Sequence, residues 1–173
     1  HGHKEHEMGG VPMNLWTPHY DLPNGRLHLA ESKRGIGIFS EYIPFSIQEE
    51  VCSDECQTPL LSLDDLSKFY SLDIYLKDEG DNPTGSFKDR GMVLMVSDAV
   101  QKGKNRIAIP STGNAAISLG YYGGIADLET IVFVPETISQ EKLQQIKKRS
   151  LLMFDKDLKE SYEHFFEFCC YQF

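Results

Sequence analysis

Lys88 is the residue whose type and surroundings are best suited to covalent chemistry. It follows a loop punctuated by Pro83 and Gly85, and it precedes Asp89, a carboxylate suited to the first turn of a helix. The positive end of a helix beside an ammonium group favours the neutral amine, and a neutral amine is a nucleophile. The ordinary alternative is a solvated surface lysine at a turn. A Walker-type phosphate loop is excluded, because its lysine would directly follow the second glycine, whereas Gly85 is followed by serine and phenylalanine.

A second loop of small and polar residues, 111–115, reads Ser-Thr-Gly-Asn-Ala and precedes a helical pattern. Backbone amides and hydroxyls at the start of a helix form an anion site, and the carboxylate of an amino acid fits it. Two simpler roles stay open. Ser111 or Thr112 could be the N-cap of the helix, and Asn114 could be a turn residue. Further along the same helix, Gly120 has no side chain and allows a neighbouring backbone to approach closely.

Strands alternate with helices over most of the chain, which predicts an α/β fold: an open parallel sheet with helices on both faces. A short helical piece at 64–70 comes first. The predicted strands are 73–77, 106–110, 131–134 and 151–154, and the predicted helices are 87–102, 114–122, one beginning at Ser139, and 158–168. Ligands bind beyond the carboxyl ends of the strands in such a sheet. Because the loops 78–88 and 111–114 both follow strands, we expect them to meet over one crevice.

The two loops together resemble those of a known enzyme family. Asn-Pro-Thr-Gly-Ser-Phe-Lys-Asp-Arg-Gly-Met at 82–92 and Ser-Thr-Gly-Asn-Ala-Ala at 111–116 are similar to motifs of the threonine synthase family. That family belongs to the fold-type II pyridoxal-phosphate enzymes, whose fold is like that of the tryptophan synthase β chain. Thr-Pro-Leu at 58–60 and Val-Phe-Val-Pro at 132–135 are weaker matches in the right order. The resemblance covers residues from about 58 to about 168.

The resemblance implies a role for each residue of the two loops. Lys88 would form the Schiff base with pyridoxal phosphate, Phe87 would lie beside the cofactor, and Asn114 would hydrogen-bond the hydroxyl of its pyridine ring. The implied substrate-binding residues are Ser86, Ser111, Thr112, Gly113, Asn114 and Ala115. The 111–115 loop would bind the substrate carboxylate.

The activity implied by the resemblance is that of a pyridoxal-phosphate-dependent carbon–oxygen lyase, which converts O-phosphohomoserine to threonine and releases phosphate. The run Lys-Asp-Arg-Gly-Met at 88–92 favours the synthase over a β-replacing or dehydratase relative. No glycine-rich run follows Gly124, although the family grips the cofactor phosphate with such a loop. We therefore expect a chain truncated after the cofactor-lysine domain, weak in cofactor binding and inactive alone. A non-catalytic fragment or interaction module of the same fold is the other class of function.

Three segments are predicted: an irregular N-terminal arm at 1–57, an α/β cofactor-lysine domain at 58–168 and a frayed C-terminus at 169–173. Prolines divide the arm into short apolar pieces, of which 27–29 and 36–39 are candidate strands. The histidines at 1, 3 and 6 are attributed to an appended or frayed terminus rather than to a metal site. The four cysteines lack paired ligand spacing and are expected to be reduced.

The last predicted helix has a cluster of large side chains on one face, which we expect to pack in the core: Tyr162, Phe165, Phe166 and Cys169. The histidines at 19, 28 and 164 have no partner that the sequence identifies. We interpret them as structural or solvent-facing.

The net charge of −9, with no basic cluster to offset it, argues against binding to nucleic acid or to an anionic membrane surface. No apolar run approaches the length of a membrane span, and the start of the sequence lacks the pattern of a secretory signal. We expect a cytoplasmic location and a small amino acid as substrate. A domain face that is exposed without the larger domain predicts self-association or a protein partner.

Overall fold

The computed structural model describes residues 28–43 and 45–172 of the 173-residue chain. After a 3-10 helical segment at Gly35–Tyr42, the elements in chain order are β1 Leu60–Ser62, α1 Asp64–Tyr70, β2 Tyr75–Lys77, a 3-10 turn Glu79–Asp81, α2 Lys88–Gln101, β3 Arg106–Pro110, α3 Asn114–Ile125, β4 Glu129–Pro135, α4 Gln140–Lys147, β5 Leu151–Asp155 and α5 Leu158–Gln172. The alternation of helices and strands from α2 onward confirms the predicted α/β fold.

β3, β4 and β5 form a parallel sheet in that order. In its register Ile107 of β3 lies opposite Thr130 of β4, and Val132 of β4 lies opposite Leu152 of β5. β4 is the central strand, and its residues from Thr130 to Pro135 are all buried. A strand that is covered on both faces needs such a continuous apolar run, which is why this strand could be predicted.

The side chains of β4 show that helices cover both faces of the sheet. Val132 and Val134 pack with Ala116 of α3 and Ile146 of α4. The ring of Phe133, which points the opposite way along the strand, contacts rings on α5. Because side chains alternate along a strand, α3 and α4 lie on one face and α5 lies on the other.

α2 packs beside α3 through an apolar cluster that includes Val93, Val96 and Leu119. The close fit of α3 depends on its glycines. A Cβ atom at Gly120 would lie 2.8 Å from the Ser150 hydroxyl and 3.2 Å from the Arg149 Cβ atom, so the close neighbours are side chains rather than the backbone that was expected. A larger residue at Gly120 would therefore push α3 away from the segment that leads into β5.

β1 and β2 form a separate antiparallel ribbon, in which Leu61 lies opposite Leu76. The expectation that the strand at 73–77 belongs to the parallel sheet is wrong, and β1 was not predicted. β2 has only three residues, all exposed, and it lacks the apolar run that burial on two faces requires. α1 likewise buries none of its residues. We refer to residues 60–77 as the ribbon unit.

The described part of the arm packs against α2 and α3 and contains no strand. Residues 36–39 lie in the 3-10 segment, so the strand expected there is wrong. Gly35 begins that segment with a φ of +51°, which an extended chain does not have. Val51 and Cys52 join the core cluster of α2 and α3. The histidines at 1, 3 and 6 and residue 27 of the other candidate strand lie outside the described residues.

α5 presents a different face to the sheet from the one expected. Phe165 and Phe168 contact Phe133, whereas Tyr162 and Phe166 are exposed. The buried face includes the polar residue Ser161, so hydrophobicity alone indicated the wrong orientation. α5 also runs to Gln172 rather than to 168. Among the helices of the described residues, none is long and apolar enough to cross a membrane.

His164 has a partner that the sequence did not indicate. Its Nδ1 atom lies 2.8 Å from Oδ1 of Asp155, a buried residue at the carboxyl end of β5. The imidazole also meets the Phe133 ring edge to face, with centroids 5.1 Å apart. This pair links α5 to β5, so of the two interpretations of His164 the structural one is correct.

Candidate active site

Lys88 is the first residue of α2, and the turn before it is closed by its own backbone. The amide of Gly85 donates to the carbonyl of Asn82 over 2.7 Å, and Gly85 has a φ of +77°, which favours glycine. The buried Ser86 then accepts a hydrogen bond from the Lys88 amide through its hydroxyl, at 3.3 Å. The Pro/Gly loop therefore places Lys88 at the N-terminus of α2, as the sequence pattern predicts.

The Lys88 amine lies over an aromatic ring. Its Nζ atom is 4.7 Å from the centroid of Phe87, whose side chain is 57% exposed. An ammonium over a ring face is held by the ring quadrupole, and the attraction at exposed sites is about 0.5–1 kcal/mol. That hold is weak enough for the amine to leave the ring when another group approaches.

Asp89 closes the loop from the helix side. It is fully buried, and its two carboxylate oxygens accept from the Thr84 amide at 2.7 Å and from the Thr84 hydroxyl at 2.5 Å. Sequence analysis assigned Asp89 only to a favourable position in the first helical turn. The structure adds a contact across the loop, which ties Asp89 to Thr84, five positions before it.

Arg90 and Glu79 form a two-point ion pair on the other side of the loop. The Arg90 Nε and Nη2 atoms donate to the two oxygens of Glu79 over 2.8 and 2.6 Å. Hydrogen bonds from Arg90 and from Asn82 hold the pKa of Glu79 at about 2, below its ordinary 4.5. Sequence analysis did not identify this pair. The sequence contained one indication of it, because Glu79 and Arg90 stand on either side of one short loop with Pro83 and Gly85.

The second loop leads directly from β3 into α3. The Ser111 amide donates to the carbonyl of Phe133, which extends the ladder between β3 and β4. The Ser111 hydroxyl accepts from the Gly113 amide at 3.3 Å, and Gly113 occupies the N-cap position without a side-chain cap. Neither Ser111 nor Thr112 is therefore the N-cap of α3.

Asn114 is the first residue of α3, and it is exposed. Thr112, Gly113 and Ala115 around it are partly exposed. The first turn of a helix leaves backbone amides without intrahelical partners, and they point along the axis toward solvent or a ligand. The exposed Asn114 amide and these backbone groups can bind an anion or a hydroxyl.

The helix starts at Lys88 and Asn114 belong to two helices packed side by side. α2 leads into β3, and β3 leads into α3, so both helices run against the direction of the strand. Their N-termini therefore lie at the carboxyl edge of the parallel sheet. Ligand sites of open α/β sheets occur at this edge.

Behind this edge, a buried carboxylate ties the arm to α3. The Glu55 oxygens accept from the amides of Ile36 at 2.9 Å and Ser53 at 2.7 Å, and from the Tyr122 hydroxyl at 3.1 Å. Burial, reinforced by the Glu55 charge, raises the pKa of Tyr122 far above its ordinary value of 10. Next to it, Tyr121 lies within 3.3 Å of the Ser53 hydroxyl. No sequence pattern indicated this cluster.

A family model described as "Pyridoxal-phosphate dependent enzyme" matches residues 51–154, which is more than half of the chain. The chain therefore belongs to the family of pyridoxal-phosphate-dependent enzymes, and its fold is the α/β fold of the fold-type II members.

Within that family, the chain is similar to threonine synthases. It is 42% identical to the threonine synthase of Halalkalibacterium halodurans over 109 residues, which are 62% of this chain and 31% of that protein. It is 43% identical to the threonine synthase of Methanosarcina acetivorans over 89 residues, which are 51% of this chain and 22% of that protein. The chain thus matches about a third or less of the length of these relatives.

Solved structures share the fold. Threonine deaminase isoform 2 from Solanum lycopersicum superposes with a TM-score of 0.58 at 23% identity, over 62% of this chain and 32% of that one. A fungal L-serine ammonia-lyase from Rhizomucor miehei gives a TM-score of 0.54 at 27% identity, over 62% of this chain and 35% of that one.

The residues at the carboxyl edge fit one end of pyridoxal phosphate. They provide an amine on Lys88, an exposed aromatic ring on Phe87 and an exposed amide on Asn114. These groups suit an aldehyde, a flat ring and a ring hydroxyl, respectively.

Proposed function

We propose that the chain carries the cofactor lysine of a threonine synthase-like lyase, which converts O-phosphohomoserine to threonine with release of phosphate. The observation that carries this proposal is the position of Lys88 at the first turn of α2, on a loop fixed from both sides, within a stretch 42% identical to a threonine synthase. The substrate is a small amino acid, and we place the protein in the cytoplasm.

Pyridoxal phosphate, when bound, supplies an electron-withdrawing ring that accepts the charge left at a substrate carbon. Lys88 holds the cofactor through its amine and afterwards moves protons at the α and β carbons of the substrate. Phe87 borders the amine, and Ser86 supports the Lys88 backbone and contacts the substrate. The amine must be neutral when it attacks the aldehyde or removes a proton, because an ammonium has no lone pair, and it must be protonated when it returns a proton.

The 111–115 loop binds the other end of the substrate in this proposal. The hydroxyls of Ser111 and Thr112 and the amides of Asn114 and Ala115 bind the substrate carboxylate, and Gly113 between them has no side chain that would block its approach. Asn114 donates from its side chain to the ring hydroxyl of the cofactor. The helix start supports this role, since its amides and its partial positive charge favour an anion.

A dehydratase or a β-replacing enzyme would use the same lysine and the same loop. The 27% identity with the L-serine ammonia-lyase supports this second candidate. The motif at 88–92, together with the higher identity to the synthases, favours threonine synthesis.

Cofactor binding by the 173-residue chain is expected to be weak and reversible. No glycine follows Gly124, and a loop of backbone amides is the usual cradle for a phosphate group. A non-catalytic module of the same fold would also bind weakly. The two hypotheses differ in one expectation: the residual binding of pyridoxal phosphate depends on Lys88 in the lyase and does not depend on it in the non-catalytic module.

The experiment is a titration with pyridoxal phosphate, followed by its visible absorption band, on the wild-type chain and on Lys88→Ala. Lys147→Ala serves as the matched control, because Lys147 is an exposed lysine on α4. We expect a weak band for the wild type and for Lys147→Ala, and none for Lys88→Ala. An equal band in Lys88→Ala would overturn the assignment of Lys88.

The ribbon unit is the proposed surface for self-association. It exposes eight large apolar side chains by 43–78%: Leu60, Leu61, Leu66, Phe69, Tyr70, Leu72, Tyr75 and Leu76. Monomeric proteins rarely expose a continuous apolar patch of more than a few hundred Å². We propose that a second copy of the chain, or another protein, covers this face.

A further inference from the structure

The Glu79–Arg90 pair lies at the junction between the ribbon unit and the helix that carries Lys88. Arg90 is two residues after Lys88 in the first turn of α2, and Glu79 is two residues after the end of β2. Their side chains are only 31% and 30% exposed. A two-point contact between guanidinium and carboxylate restricts orientation as well as distance.

Thr58 extends the pair to the segment before β1. Its hydroxyl accepts from Arg90 Nη2 at 3.2 Å and donates to Glu79 at 3.2 Å. Its carbonyl accepts from the Lys77 amine. The junction thus joins three chain segments, at 58, 77–79 and 90.

Asn82 connects the pair to the lysine loop. It is buried, and its side-chain amide donates to the Glu79 carboxylate at 3.0 Å and to the Glu79 carbonyl at 2.8 Å. The Asn82 carbonyl accepts from Gly85, which closes the turn that precedes Lys88. A displacement of Glu79 would therefore be transmitted to that turn through one buried side chain.

The two residues after Lys88 therefore fix its backbone against two different parts of the loop. Asp89 accepts a hydrogen bond from Thr84, and Arg90 donates one to Glu79. The amine itself contacts the exposed Phe87 ring, which is a weak constraint. The position of the Lys88 amine is therefore determined more by the loop that holds the Lys88 backbone than by the contacts of its own side chain.

We propose that Glu79 and Arg90 are positioning residues for Lys88, because their ion pair fixes the Asn82 turn against the first turn of α2. This inference deepens the proposed function and rests on it. In this proposal both residues act through the loop backbone rather than on the reacting atoms. Loss of the pair leaves the amine present but spreads it over positions from which an aldehyde bound at this edge is reached less often.

The test measures how selectively pyridoxal phosphate modifies Lys88. The amine condenses with the aldehyde carbon and loses water, and borohydride then donates hydride to the carbon–nitrogen double bond to give a stable secondary amine. Peptide mass mapping gives the ratio of modification at Lys88 to that at Lys147. This ratio is an internal measure, so a general loss of protein affects both lysines alike.

Four variants of the full chain are compared with the wild type: Glu79→Gln, Arg90→Gln, Arg90→Lys and Asp98→Asn. The last is the matched control, since Asp98 pairs with Lys102 at the far end of the same helix. We expect the ratio to fall at least fivefold in Glu79→Gln and Arg90→Gln, about twofold in Arg90→Lys, and not at all in Asp98→Asn. Thermal melting verifies that each variant is folded.

An unchanged ratio in folded Glu79→Gln and Arg90→Gln would overturn the positioning role, even if both variants melt earlier. If the glutamine variants do not fold, Arg90→Lys decides, because it keeps the charge and loses the two-point geometry. A wild-type ratio near one would instead count against the proposed function. Hydrogen exchange of the amides at 84–89 would then decide the role of the pair: faster exchange in Arg90→Lys than in Asp98→Asn supports it, and equal exchange overturns it.

Discussion

Tyr122→Phe removes one hydroxyl from the buried cluster that ties the arm to α3. Glu55 and Tyr122 are both fully buried, and the hydroxyl donates to the carboxylate over 3.1 Å. A hydrogen bond to a charged group contributes about 1.5–3 kcal/mol. The two backbone donors to Glu55 remain, so we expect the loss to lie near the lower end, at about 1.5–2 kcal/mol.

Urea unfolding, monitored by far-UV circular dichroism, measures this loss directly. For a chain of this size, about 1.5–2 kcal/mol corresponds to a fall in melting temperature of roughly 3–8 °C. Tyr121→Phe is the matched control on the neighbouring residue. Its hydroxyl lies 3.3 Å from Ser53 in a half-buried contact between neutral groups, for which we expect less than about 1 kcal/mol.

The alkaline limb of the stability curve provides an independent check. The phenol of Tyr122 has a pKa raised above 10 in the folded state, whereas the unfolded chain releases that proton near 10. Unfolding therefore becomes more favourable as the pH rises above 10, and this contribution is absent from Tyr122→Phe. If Tyr122→Phe matched the wild type within about 0.3 kcal/mol and had the same alkaline limb, the role assigned to the buried cluster would be refuted.

Three further predictions concern the loop, the second helix start and the ribbon. Glu79 has a pKa near 2 in the folded protein and an ordinary value of 4.5, so the stability that its carboxylate provides is present above pH 4.5 and is lost as the pH falls toward 2. In an acid titration of the free energy of unfolding, Glu79→Gln should lack this loss. In protein saturated with pyridoxal phosphate, Asn114→Ala should weaken the binding of an amino-acid substrate about tenfold, or about 1.4 kcal/mol, and shift the absorption band while the melting temperature stays unchanged. An unaltered spectrum and unaltered amino-acid binding would contradict this prediction. Sedimentation should show association that increases with concentration and is reduced in Phe69→Ser, and a wild-type monomer at all concentrations would rule out the ribbon face.

The predictable part of the fold is the part encoded by local patterns. The apolar run of β4 and the helical periodicity after Lys88 each lie within a short stretch, so the elements from α2 to α5 could be located. In the ribbon the strand at 73–77 was predicted, but β1 and the antiparallel pairing were not, because β1 has three residues and the pairing depends on a partner rather than on a local pattern. The face of α5 was missed for a related reason, since Ser161 and His164 occupy positions that hydrophobicity assigns to solvent.

The buried and half-buried polar pairs show most clearly what sequence patterns cannot predict. Glu55 and Tyr122 are 67 positions apart, and Glu79 and Arg90 are 11 apart, so neither pair follows the spacing of a helix or a strand. The sequence contains 26 aspartate and glutamate residues, and no local pattern distinguishes Glu55 or Glu79 from the others. Burial selects among them, and burial depends on tertiary packing. The motif therefore indicated Lys88 as the candidate cofactor lysine, whereas the groups that hold its backbone could be recognised only when the segments at 58, 79–82 and 88–90 lay together at the N-terminus of α2.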